Sequence, residues 1–249
     1  MEKPKLSQRL EKVLSACRRA SCIADIGTDH GLLPIACVIT GKADRAVACD
    51  LRKAPLERCR ENVKRYGLED RISLHLADGF DALQCGEADE VTISGMGGML
   101  ICQLVYKALI CAKLLPGARL VLCPNTHDEY LRRMVSSACF ANVRERALRD
   151  GGVTYLIISC EYIGGKPEFD YAAEGFDTDP GFKPEHFTGL TGKLPKYYYR
   201  KILEKAEKRL AGLGNSRGGN EFDVLKRTRD RCLFLLDTAS GIEYNNPRL

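Results

Sequence analysis

No stretch of the 249-residue sequence approaches the roughly 18 uncharged apolar residues that a membrane-spanning helix requires, which excludes such a span. Met1-Glu2-Lys3-Pro4-Lys5 leads into a charged stretch and lacks the apolar segment of a secretory signal, so a cytoplasmic address with no membrane partner is expected. Twelve cysteines are present, yet no two form a C-x-x-C pair, which removes the common zinc and thioredoxin-like spacings. Several of them interrupt apolar runs (Val47-Ala48-Cys49, Leu122-Cys123, Ile158-Ser159-Cys160), where a reduced thiol packs as a small hydrophobe. No metal site is expected. A G-x-G-x-x-G run after the first strand-like segment is also missing, which argues against a dinucleotide cofactor.

What is present is long enough for one complete α/β core with an appendage. Charge is distributed unevenly. Residues 161–192 carry two basic and seven acidic side chains, whereas residues 193–231 carry twelve basic and five acidic ones. A basic block of that kind is either a solvated helix face or a phosphate-contacting surface.

Hydrophobic periodicity gives the order of elements. Leu6, Leu10, Val13 and Leu14 recur at helical spacing, so a helix is expected over Ser7–Arg19 with Ser7 as its cap. Strands are expected at Cys22–Ile26, Arg45–Cys49, Ile72–Leu76, Glu90–Ser94 and Arg119–Cys123. Helical segments are expected at Leu32–Ile39, Ala54–Tyr66, Met99–Leu114 and Asp128–Ser137. Strands alternating with helices imply right-handed crossovers and a parallel sheet. Two further strand-like runs, Asn142–Leu148 and Val153–Glu161, flank Arg149-Asp150-Gly151-Gly152, whose Asp-Gly step is a hairpin signal. Five parallel strands followed by an antiparallel hairpin form the seven-stranded sheet of a Rossmann-like, class I methyltransferase. The expected domains are therefore 1–163, a linker at 164–193 and a basic helical hairpin at 194–249. In that hairpin Ile202, Ala206, Leu210 and Leu213 line one side of the first helix. Gly214–Gly219 breaks the chain, and Leu225, Cys232 and Leu236 mark a stripe on the second helix.

The chemistry sits where strands end. After the first strand the chain reads Asp25-Ile26-Gly27-Thr28-Asp29-His30-Gly31, the position at which this fold binds a cofactor. A carboxylate at Asp29 would repel a diphosphate. S-adenosylmethionine (SAM) has no phosphate and carries a sulfonium and an ammonium, so Asp25 and Asp29 suit it and disfavour a nicotinamide dinucleotide. Asp29 can also serve as the N-cap of the next helix. Asp50, with Leu51 after it, ends the second strand and is placed to accept ribose hydroxyls. Asp78-Gly79 follows the third strand, with Asp78 placed to accept from an adenine amino group. Gly95-Met96-Gly97-Gly98 follows the fourth, where glycines leave room for a ligand against the main chain. Pro124-Asn125 follows the fifth. It is not the Asn/Asp-Pro-Pro-Tyr/Phe signature of enzymes that methylate exocyclic amines. The expected cofactor contacts are thus Asp25, Gly27, Thr28, Asp29, His30, Asp50, Leu51, Asp78, Gly79, Gly95, Met96 and Gly97.

Ala24-Asp25-Ile26-Gly27-Thr28-Asp29-His30 with Leu33-Pro34, then Asp78-Gly79, Ser94-Gly95-Met96-Gly97-Gly98 and Cys123-Pro124-Asn125, together resemble the TrmK family. Leu6-Ser7-Gln8-Arg9-Leu10 and Asn62-Val63-Lys64-Arg65-Tyr66-Gly67-Leu68 are similar to it as well, and the resemblance runs from about residue 6 to 160. Asp50 stands where that family is expected to have a glutamate. The resemblance implies a bacterial tRNA (adenine-N1)-methyltransferase that acts on adenine 22 in the D-arm, with a C-terminal coiled coil. In such an enzyme Asp29, Asn125 and His30 are the candidate catalytic residues, Asp29 first, and tRNA is the partner. Other readings are a SAM-dependent enzyme acting on ribosomal RNA and an inactive RNA-binding relative. A monomer is favoured.

Overall fold

The computed structural model describes residues 2–166, 194–213 and 220–238. The chain divides into two compact units, Met1–Phe176 and Asp177–Leu249. In the first, helix α1 (Gln8–Ala16) precedes β1 (Ala20–Ile26), and α2 (Leu32–Ile39), β2 (Ala43–Asp50), α3 (Lys53–Arg65) and β3 (Ile72–Leu76) follow. A single 3₁₀ turn, Gly79–Ala82, leads to β4 (Glu90–Ser94), α4 (Gly98–Ile110), β5 (Arg119–Cys123) and α5 (Asp128–Val135). The chain then forms the hairpin β6 (Phe140–Asp150) and β7 (Val153–Tyr162).

Ser7 caps α1 as expected, its hydroxyl accepting from the Leu10 N–H at 3.2 Å. The helix stops at Ala16, three residues short of the expected end, because the strand begins at Ala20. In the hairpin the two loop residues are Gly151 and Gly152, both at positive φ (56° and 79°). The expected Asp-Gly turn is therefore shifted by one residue: Asp150 belongs to β6 and pairs with Val153. A glycine pair satisfies the doubly left-handed turn without a side-chain penalty.

The seven strands form one sheet in the order β3-β2-β1-β4-β5-β7-β6. The first five in sequence pair in parallel, and β7 is antiparallel to both β5 and β6. Central strands such as β5 are buried at every position, as a sheet covered on both faces demands. Residues of α1, α2 and α3 join β1 and β2 in one apolar cluster with Val13, Ile23, Ile35, Ala46 and Val63. Strand order runs outward from β1 in two directions, so right-handed crossovers put α4 and α5 on the opposite face. Ten of the twelve cysteines are buried, as their apolar settings imply, while Cys85 and Cys111 are exposed.

The end of the sheet away from the strand C-termini carries a buried ion pair. Arg119 Nη1 lies 3.2 Å from Glu90 Oε1 and also donates to the Ala16 carbonyl at 2.8 Å. Glu90 accepts in addition from the Arg18 N–H. Burial raises the Glu90 carboxyl, and Arg119 is the largest opposing influence.

The second unit contains α6 (Lys196–Gly212) and α7 (Asn220–Thr238), which pack against each other. Tyr198, Tyr199, Ile202 and Ala206 are buried on α6, and the Tyr199 hydroxyl accepts from the Leu194 N–H at 3.0 Å. On α7 the buried stripe is Leu225, Thr228, Cys232 and Leu235. Leu236, expected in that stripe, is only half-buried, and Leu235, three residues after Cys232, takes the place on the buried face. The expected break at Gly214–Gly219 lies outside the described residues, as does nearly all of the expected linker 164–193. Among the described residues no helix is long and apolar enough to cross a membrane.

Replacing Arg119 with Ala leaves Glu90 buried without its cation and is expected to cost about 3 kcal/mol of stability. Urea unfolding followed by circular dichroism measures this, and Arg119→Lys should recover part of the loss.

Candidate active site

The reversal of strand order between β1 and β4 opens a cavity of about 430 Å³ at the C-terminal ends of the strands. Every expected site residue lines it except Gly97. The residues arrive from the loops after five strands, so the cavity is a property of the sheet and not of any one segment.

The loop after β1 takes its shape from three left-handed residues, Gly27 (φ 75°), Asp29 (φ 51°) and Gly31 (φ 70°). Aspartate tolerates this conformation better than most side chains. The Gly27 and Thr28 N–H groups both donate to the Cys49 carbonyl, at 2.9 and 2.8 Å, which pins the loop to the end of β2. Asn62 Nδ2 on α3 donates to the His30 carbonyl at 2.9 Å. Gly31 lies against Cys59, whose Sγ would be 2.3 Å from an added Cβ. The N-cap of α2 is Gly31, with no side-chain capping bond, so Asp29 does not take the capping role open to it in the sequence. Its carboxylate is about half exposed and lies 3.5 Å from His30 Nε2.

Asp25 is buried and accepts from Thr92 Oγ1 at 2.6 Å. Burial raises its carboxyl above the ordinary aspartate value, the nearby Thr92 and Thr28 hydroxyls lower it in part, and nearby Asp50 raises it again. A carboxyl held up in this way gains most from a cation placed beside it. Asp50, the last residue of β2, is also buried. Its two oxygens accept from the Asp29 N–H (3.2 Å) and the Arg52 N–H (2.9 Å), and the Arg52 guanidinium lies 3.5 Å away. An ionised carboxylate has about four acceptor positions, so room for a diol remains. Asp78 precedes the 3₁₀ turn without capping it, leaving its side chain exposed toward solvent and cavity. Behind these groups, burial pushes the Cys49 and Cys59 thiols up to about 12, which keeps both neutral as packing groups.

The opposite rim is made by the loops after β4 and β5, which extend the sheet's pairing beyond its strands. Asn125 N–H donates to the Met96 carbonyl at 2.8 Å, and Gly98 N–H donates to the Thr126 carbonyl at 2.7 Å. The Asn125 side chain donates through Nδ2 to the Gly95 carbonyl at 2.6 Å and accepts at Oδ1 from Arg9 Nη1 at 2.8 Å. Gly97 caps α4 and bridges to Thr126, and it is the one expected site residue that does not line the cavity. Gly98 is required by the neighbouring loop: an added Cβ would lie 2.0 Å from the His127 carbonyl oxygen. Of the three glycines expected to leave room for a ligand, Gly97 and Gly98 thus lie against the neighbouring loop, while Gly95 lines the cavity.

Arg9, Leu10, Arg52, Leu100 and Leu104 line the cavity without having been singled out as site residues. Arg9 and Leu10 sit on an N-terminal helix that only tertiary packing brings to this edge. Leu51 and Leu100 are exposed apolar side chains at the mouth, 68% and 47% accessible. Ser94 Oγ, at the cavity wall, is buried and without a hydrogen-bond partner among the described residues.

The donor set fits SAM. The volume lies within the roughly 300–1,000 Å³ range of small-molecule sites. Four carboxylates offer partners for an ammonium, a sulfonium, a ribose diol and an adenine amino group, and would oppose a diphosphate.

A doubly wound sheet with a hairpin edge and this acidic cavity at its switch point defines a Rossmann-like methyltransferase domain. The family model described as a methyltransferase domain matches residues 6–158. The tRNA (adenine(22)-N(1))-methyltransferase of Bacillus subtilis (strain 168) is 34% identical over 161 residues, covering 65% of this chain and 67% of that protein. The crystal structure of the B. subtilis tRNA methyltransferase TrmK superposes with a TM-score of 0.71 at 27% identity, over 94% of this chain and 98% of that one. Streptococcus pneumoniae Sp1610 in complex with S-adenosyl-L-methionine gives 0.69 at 27% identity, over 93% and 100%. The chain belongs to the TrmK family of methyltransferases.

A cation bound beside Asp25 needs the carboxylate form. As pH falls through the raised Asp25 value that form is lost, so SAM affinity is expected to decline at a higher pH than an ordinary aspartate would cause. Calorimetric titration across pH should show this decline. Asp25→Asn should bind more weakly throughout and lack that pH dependence.

Proposed function

We propose that the protein transfers the methyl group of SAM to N1 of adenine 22 in tRNA. The observation that carries this reading is the convergence of Asp25, Asp50 and Asp78, from the ends of three different strands, with Asp29 on one cavity in a chain of this family. SAM supplies an electrophilic methyl on a cationic sulfur.

In this reading Asp50 holds the ribose diol, Asp78 the adenine amino group and Asp25 the ammonium of the cofactor, against a wall of Gly27, Thr28, Leu51, Gly79 and Met96. N1 of adenine carries an in-plane lone pair at neutral pH, so no base must first remove a proton. That lone pair forms the new N–C bond as the methyl–sulfur bond breaks, and alignment supplies much of the acceleration. Positive charge then spreads over the methylated ring toward its amino group. The half-exposed Asp29 carboxylate, with His30 beside it, is the group we assign to stabilise that charge. Gly95 and Asn125 form the receiving wall for the base. N1 lies on the pairing edge, so the nucleotide must be unpaired or flipped to enter.

The chemistry calls for no Lewis acid, and no metal is assigned. A cytosolic address and a monomer go with this reading. The basic α6–α7 unit is assigned to the RNA: Lys205, Lys208, Lys226 and Arg227 are all exposed on it. Such contacts are to phosphates and position the RNA without reading sequence.

Two experiments test the reading. Incubation with labelled SAM and unmodified bacterial tRNA, followed by nucleoside mapping, should yield 1-methyladenosine at position 22; no methylated product would reject it. Asp29→Ala should stay folded and bind tRNA while losing most methyl transfer, and full activity would remove Asp29 from the mechanism. Separately, replacing Lys205, Lys208, Lys226 and Arg227 together with Glu should weaken tRNA binding and flatten its salt dependence, with SAM affinity unchanged by calorimetry.

A further inference from the structure

The cavity wall is acidic on the side of β1, β2 and β3, yet Arg9 stands on the other side, and its charge has no obvious purpose there. A guanidinium close to the place of a base that becomes cationic is repulsive unless an anion sits directly beside it. The other arginine at the cavity, Arg52, lies beside the Asp50 carboxylate. Arg9 has no such partner: among the described residues no carboxylate pairs with its guanidinium. Asp150 Oδ2 accepts instead from the Arg9 backbone N–H at 2.9 Å. The side-chain acceptor for the guanidinium is the neutral amide of Asn125, at 2.8 Å from Nη1.

The side chain is nonetheless held in one place. The guanidinium carbon lies 5.2 Å from the centroid of the Tyr155 ring on β7, a cation–π stack that keeps the planar fork in a fixed orientation. The Asp150 bond fixes the backbone of the same residue. Gly95 (φ 91°) lies below it, and a Cβ there would be 3.7 Å from Nη2 and 3.8 Å from Nη1. Arg9 therefore borders the same Gly95–Asn125 wall that receives the base, and among the described residues only one of its five N–H donors is engaged, by the Asn125 amide. A preorganised fork with unused donors and unpaired charge is the arrangement that binds a phosphate bidentately.

We propose that Arg9 is a substrate-binding residue that grips a backbone phosphate flanking the methylated nucleotide and so seats the base against Gly95 and Asn125. This rests on the RNA methyl-transfer reading and adds the anchor by which the target nucleotide is held.

The test uses the full-length chain with unmodified tRNA. Arg9→Ala is expected to lower kcat/KM for tRNA roughly ten- to hundredfold, the range for losing a charge-assisted hydrogen bond. Calorimetric SAM affinity and the thermal midpoint should stay near wild type, and the log–log salt slope of tRNA binding should fall by about one phosphate contact. Arg9→Lys should restore part of the activity and the salt slope; Asn125→Ala should leave the slope intact. Wild-type kcat/KM in Arg9→Ala overturns the proposal. So does a loss in which SAM affinity falls equally, or in which Asn125→Ala reproduces the whole effect including the slope, since Arg9 would then act only by bracing the loop. Absence of methyl transfer by the wild-type protein would sink the underlying reading instead, and is seen before any variant is made.

Discussion

Mutual repulsion among carboxylates is the constraint around which this molecule is arranged. Asp25, Asp29, Asp50 and Asp78 border one cavity, and nothing in the folding of a Rossmann sheet requires them there. The protein relieves the repulsion in three ways. Asp25 is buried and its carboxyl is driven toward the neutral form, with Thr92 bonded to it. Asp50 is wrapped by two backbone N–H groups and approached by Arg52. Asp29 and Asp78 are left accessible to water. What remains unrelieved is a demand for a positive ligand, which a sulfonium cofactor with an ammonium group meets.

Backbone hydrogen bonds between loops hold that arrangement. A single carbonyl, Cys49 O, accepts from both Gly27 and Thr28, which locks the cofactor loop to the strand that ends in Asp50. On the far rim the loops after β4 and β5 continue the pairing of their strands through Met96, Gly98, Asn125 and Thr126. This fixed frame matters for a reaction whose acceleration comes largely from alignment. Stability is supplied elsewhere, by the apolar layers and by the Glu90–Arg119 pair at the opposite end of the sheet. Separation of the two ends lets the site keep unfavourable charge without bearing the fold.

Arg9 joins these themes. It comes from the helix that precedes the sheet, is fastened to the β6–β7 hairpin through Asp150 and Tyr155, and reaches the loop after β5 through Asn125. The edge hairpin therefore does more than close the sheet, since it holds the cation that, among the described residues, lines the Asn125 side of the cavity.

The strands, their parallel order and most of the cavity lining were legible in the residues alone. Buried parallel strands read as short apolar runs, and the polar residue that ends each run must lie at the sheet's C-terminal edge. Asp50 follows from that rule directly, and Asp25 and Asp78 from lying within two residues of a strand's end. Side-chain direction and contacts between distant segments do not. That Asp29 is left-handed and leaves the helix uncapped, that Gly97 and Gly98 face a neighbouring loop, and that Leu235 replaces Leu236 on α7 were decided by packing. So was the arrival of Arg9 beside Asn125, 116 residues away in the chain. Local periodicity specifies which elements form and where they end, whereas the partners of a side chain depend on which loops the folded sheet brings within a few ångströms of each other.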